Sequence, residues 1–104
     1  MFGRSAWHRH RTARAKAAGE RTIRKLRGRA AVREAENTVE AMWVEQLGRA
    51  EGIDPRLTRL VKRERSAFAA AARRRRIETE ADQRMLAAIT EEMAGMTRPV
   101  PPTG

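Results

Sequence analysis

Side chains able to act as nucleophiles or metal ligands are few in this 104-residue chain: Cys and Tyr are absent, the serines are Ser5 and Ser66, and the histidines are His8 and His10. A separation of two residues puts His8 and His10 on different faces of a helix, and no third ligand lies near, so they read as solvated histidines of a basic segment rather than a zinc site. Carboxylates are plentiful, but they stand among arginines at helical-surface spacing, where i,i+4 pairing and solubility account for them. No Gly-rich phosphate loop precedes a helix, and no hydrolase or kinase signature occurs. The chain is therefore expected to be no enzyme and to need no metal or cofactor.

What the sequence offers instead is guanidinium. Of its 23 Lys and Arg residues only Lys16, Lys25 and Lys62 are Lys, and the formal net charge is +10. Arginine presents a planar fork that meets phosphate oxygens in pairs. GC-rich coding also favours Arg over Lys, but it does not explain where the charges fall. Residues 1–33 hold Arg4, Arg9, Arg11, Arg14, Lys16, Arg21, Arg24, Lys25, Arg27, Arg29 and Arg33 against Glu20 alone. The sign reverses over 34–55, with Glu34, Glu36, Glu40, Glu45, Glu51 and Asp54 against Arg49. A second basic block, 56–76, sets Arg56, Arg59, Lys62, Arg63, Arg65, Arg73, Arg74, Arg75 and Arg76 against Glu64, and the remainder is acidic again. Clustering of this kind is an electrostatic footprint for a polyanion. The expected phosphate contacts are the first block as far as Arg29, together with Arg56, Arg59, Lys62, Arg63 and Arg73 to Arg76. Trp7, between Arg4 and Arg9, is of a type that stacks on an exposed base.

These cations need elements to carry them. Aromatic residues make up only 4% of the chain and 35% is charged, with Ala prominent among the apolar residues, which predicts an all-α fold. No stretch approaches the roughly 20 apolar residues that cross a bilayer, so no membrane partner is expected. Asp54 is a favoured N-cap and Pro55 a favoured first helical residue, so a helix should begin at 55. Projection at about 100° per residue groups Leu57, Leu60, Val61, Phe68, Leu86, Ile89, Met93 and Met96 in one sector. Arg75, Glu78 and Asp82 fall in that same sector, which predicts either one helix to about 96 or a kink near 76–79. Upstream, Val32, Ala35, Val39, Met42, Trp43 and Ala50 share a sector and predict a second amphipathic helix over 31–50, with Trp43 in the core.

The short connection implies antiparallel neighbours: a long helical hairpin of two or three helices over residues 31–97. Ile23, Leu26 and Ala30 point away from the Val32 side, and Gly19 and Gly28 weaken the helix, so residues 1–30 read as a basic N-terminal arm with no core to join. The tail 98–104, with Pro99, Pro101 and Pro102, is expected to be extended. A two-helix core is thin against the cost of ordering the chain, and homodimerisation into a four-helix arrangement is the simplest completion.

The stretch Val44 to Val61 partly resembles the helix-turn-helix family, through Leu47, Gly48, Gly52, Ile53 and Val61. That resemblance implies Arg56, Arg59, Lys62 and Arg63 on a recognition helix. Glu51 and Thr58 stand where the family has apolar residues, and no resemblance extends over the full length. The leading expectation is a non-catalytic nucleic-acid binder, DNA in preference to RNA, in the cytoplasm or at the nucleoid. The alternative is a helical assembly or protein-interaction subunit, of a phage, plasmid or secretion machine, whose arm meets an acidic protein partner. An organelle presequence ranks below both, because Ser is scarce in the arm.

Overall fold

Asp54 and Pro55 end one helix and start the next. Asp54 is extended (φ −125°, ψ 98°), its carboxylate accepts the Arg56 backbone N–H at 3.0 Å, and Pro55 supplies a φ already suited to a helical start. In the computed structural model, which describes the backbone of residues 4–97 and the side chains of 12–96, this punctuation separates α1 (Arg4–Ile53) from a 3-10 turn (Pro55–Leu57) and α2 (Thr58–Thr97). Every described residue except Asp54 is helical, and the two helices form a hairpin. The fold is all-α, and the segment from 58 onward is one helix without a break at 76–79. The Pro-containing tail 98–104 lies outside the described residues.

Two compact units divide the hairpin, residues 28–81 and residues 1–27 with 82–104. In the first, contacts of growing sequence separation show the antiparallel course. Thr58 Oγ1 reaches Glu51 at 3.4 Å, Arg75 holds Glu40, and Arg33 Nε donates to Glu78 at 3.1 Å. Over residues 28–81 helices joined in this way lie side by side, unlike the steep crossing of a helix-turn-helix. No third helix is present among the described residues, so the partial resemblance at 44–61 does not extend to that family's trihelical arrangement.

The face that α1 turns to α2 is not the one its richest apolar sector suggested. Val32, Val39, Met42 and Trp43 are exposed at 56%, 67%, 55% and 50%, whereas Leu47 is 7% exposed. The contacting positions are Ala30, Arg33, Asn37, Glu40, Val44, Leu47 and Glu51, spaced alternately by three and four residues. Opposite them α2 presents Val61, 1% exposed, with Phe68 and Arg75. The polar residues explain the choice. Arg75 lies on the α2 seam, and a guanidinium removed from water without an acid beside it costs several kcal/mol. Docking the Val32–Val39 sector there would have offered it Glu36 alone, while the Arg33–Glu40 sector adds Asn37 and Glu40.

In the unit formed by residues 1–27 and 82–104, the sequence predicts no core for the segment before Gly28 to join. The structure supplies one: Leu26 is 3% exposed, and Ile23, Leu86, Ile89 and Met93 are half-buried. Gly19 permits a close approach, since a Cβ there would meet Met93 Sδ at 2.8 Å. Helix α1 runs through Gly19 and Gly28 unbroken.

Candidate nucleic-acid interface

Cations on this hairpin fall into two classes, set by which side of a helix they occupy. Those on the seam are committed to carboxylates. Arg75, its side chain 15% exposed, donates through both terminal nitrogens to Glu40, one of these bonds being 2.8 Å, and through Nε to Glu36 at 3.1 Å; Asn37 Oδ1 accepts a further bond at 3.0 Å. The hydrogen bonds from Arg75 hold the Glu40 carboxyl below its ordinary value, aided by the charges of Arg75 and Arg74 against a smaller desolvation effect. Reciprocally, the Glu40 bond raises the Arg75 pKa. Arg33, 8% exposed, donates to Glu78 and through Nη1 to Thr79 at 3.5 Å.

Outward cations form the second class. On α2, Arg59, Lys62, Arg63, Arg73, Arg74 and Arg76 are all exposed, and projection places them in one broad sector opposite Val61, Phe68 and Arg75. From Arg59 to Arg76 this face runs about 26 Å at 1.5 Å per residue. Ser66, Ala69 and Ala70 lie between its two clusters, so no bulky side chain stands in the way of a close-lying backbone. Arg56 is also exposed but folds onto Asp54 through bonds of 3.0 and 3.1 Å, which hold the Asp54 carboxyl below its ordinary value.

On α1, Arg14, Arg21, Arg24 and Lys25 share a sector of roughly 100° turned away from Gly19, Ile23 and Leu26, and Lys16 and Arg27 flank it. Arg29 is exposed as well. The side chains of Arg4, Arg9 and Arg11, with Trp7, His8 and His10, lie outside the described residues. Among the described residues no ion pair engages Arg14, Lys16, Arg21, Arg24, Lys25, Arg27, Arg59, Lys62, Arg63, Arg73, Arg74 or Arg76.

Of the cations that sequence spacing nominated, the structure therefore gathers six on the outer face of α2 and sets Arg75 apart at the seam. Sequence reasoning missed the buried place of Arg33, although the three-and-four spacing from Ala30 through Glu40 carried the signal. It also passed over Arg65, which is exposed with its guanidinium 3.1 Å from where a Gly48 Cβ would stand.

Other chemistry has little footing. Among the described residues no group of three or more His, Cys, Asp or Glu side chains could hold a metal ion, and no helix is long and apolar enough to cross a membrane. A groove of about 370 Å³ beside Trp43, Val44 and Phe68 has Glu40, Glu64 and Arg74 at its rim, a mixture that favours neither sign of charge. No protein-family model, curated protein or solved structure matches the chain.

Proposed function

We propose that this chain is a non-catalytic, helical nucleic-acid-binding protein that contacts phosphates through arginine. The observation that carries the reading is the partition of the cations: those at the seam hold carboxylates, whereas the outer face of α2 presents Arg59, Lys62, Arg63, Arg73, Arg74 and Arg76 without ion pairs among the described residues. DNA is favoured over RNA because these faces carry no aromatic side chain among the described residues on which an unstacked base would lie. Binding is independent of sequence, and the proposed setting is the cytoplasm, at the nucleoid.

Counterion release tests it. With about eight phosphates neutralised, log K against log salt should fall with a slope near −7 on random duplex DNA. A slope shallower than about −3, or no binding at low salt, overturns the reading. Because Gly19 and Leu26 pack within the hairpin, deletion of the N-terminal segment would confuse removal of charge with disruption of structure, and glutamine substitution of exposed cations is the cleaner variant.

One observation favours a second reading, an assembly subunit: the exposed apolar sector of α1 is suited to another protein surface. A chain of that kind keeps its oligomeric state when Arg59, Lys62, Arg63 and Arg73 are made Gln and shows no salt-dependent affinity for DNA.

A further inference from the structure

The side of α1 turned away from α2 carries Val32, Val39 and Met42 and ends on Ile53 at 88%, and Trp43, half exposed, stands at its edge, where it also borders the groove beside Phe68. With Ala35, Gln46 and Ala50, and with Met42 and Trp43 sharing one step, these positions recur every three or four residues, which makes about three heptads over roughly 32 Å of helix. By contrast, Leu47 and Val61 are the only apolar side chains of residues 28–81 that are buried. Val44, Leu57, Leu60 and Phe68 are half-buried, so this unit leaves as many large apolar side chains exposed as it covers wholly or in part. A surface of that kind on a small chain is an interface awaiting its partner.

Charge narrows what covers it. Beside it stand Glu34, Glu36 and Glu45 against Arg49, an acidic border that repels phosphate, whether of a nucleic acid or of an anionic lipid surface. We propose that the stripe is the contact between α1 and the α1 of a second copy, antiparallel about a two-fold axis passing between Met42 and Trp43. A parallel pair would set each charge beside its own duplicate, Glu36 by Glu36 and Arg49 by Arg49. The antiparallel alignment brings stripe positions level with stripe positions: Val32 with Ile53, Ala35 with Ala50, Val39 with Gln46, and the flexible thioether of Met42 with the indole of Trp43. Along one flank it brings Arg49 within a turn of Glu34 of the second copy, and symmetry repeats that opposition of charge on the other half. Arg49 is free to serve there, because its bond to Glu45 is a surface pair with the two side chains 76% and 63% exposed. This contact stands independently of the polyanion reading.

Sedimentation of the full-length protein over a range of micromolar concentrations tests the proposal, with Trp43 emission followed in a Trp7→Phe background. A reversible dimer whose formation shifts Trp43 emission to the blue is expected. Val39→Glu, at a position 67% exposed in the single chain, should give a monomer with unchanged helical circular dichroism. Glu34→Arg and Arg49→Glu should each weaken association about tenfold or more, and the double variant should recover most of the loss. A monomer at every concentration, or a dimer that Val39→Glu leaves intact, overturns the proposal. Single losses that the double variant does not recover overturn the antiparallel alignment.

Discussion

Arg73 and Arg75 stand two residues apart in a run of four arginines, yet a helix turns them to nearly opposite sides. The first is exposed; the second is held by Glu36, Asn37 and Glu40. Composition treats the run as one basic cluster, and only the phase of α2 separates its members. Pairing also makes stability depend on acid. The carboxyl of Glu40 sits below its ordinary value of 4.5 in the folded chain, so its contribution is fully present above that pH and is lost as pH falls through the lower folded value. A Glu40→Gln variant lacks this dependence. Its melting temperature should lie below that of the parent at neutral pH, and the gap should narrow as pH drops beneath 4.5 in thermal melts followed by circular dichroism. A gap that stays constant would mean that ionisation of Glu40 does not cause it, and no gap at neutral pH would mean that the Arg75 bond stabilises the fold no better than a neutral amide.

At the scale of the helix, the turn and α2 were legible and the orientation of α1 was not. Asp54–Pro55 announced the break because each residue type has a specific backbone use there, and Leu57, Val61 and Phe68 fixed the inner side of α2. Helix α1 has apolar residues on two opposite sides, Val32–Val39–Met42 and Leu26–Val44–Leu47, and hydrophobic periodicity alone selects the more populated one. What decides is the partner: on the α2 seam of residues 28–81, Arg75 is met by Glu36, Asn37 and Glu40, and Glu78 by Arg33. The same helix explains why glycine did not end it. Gly28 has no atom within 4 Å of an added Cβ, so Gly28→Ala should raise stability by about 0.5–1 kcal/mol, a few degrees in melting temperature. Gly19→Ala should gain less, because Met93 must move aside. Equal gains at both positions would show that the approach of Met93 to Gly19 carries no packing cost.

Across residues 28–81, the outer sides of the two helices differ in chemistry: α2 presents cations, and α1 presents an apolar stripe among acids. The two proposed functions, being on separate surfaces, should be separable by mutation. Replacing Arg59, Lys62, Arg63 and Arg73 together by Gln should make the salt slope of DNA binding shallower by about 0.9 for each phosphate that is no longer neutralised, with helicity and association unchanged. Failure of that variant to associate would tie the two surfaces to one interface. The block pattern of charge was open to view in the sequence; the direction each block faces was not, since that follows from which carboxylates the seam consumes.

The ionic cluster at Arg75 also works as a ruler for the hairpin. Sliding α2 by seven residues in one direction would seat this guanidinium near Arg29 and Arg33, and in the other near Val44 and Leu47. Like charge repels in the first case, and a hydrocarbon lining strands the ion in the second. Small alanine side chains offer little to hold one helix against another, so this guanidinium, together with Arg33 on Glu78, favours a single alignment over residues 28–81.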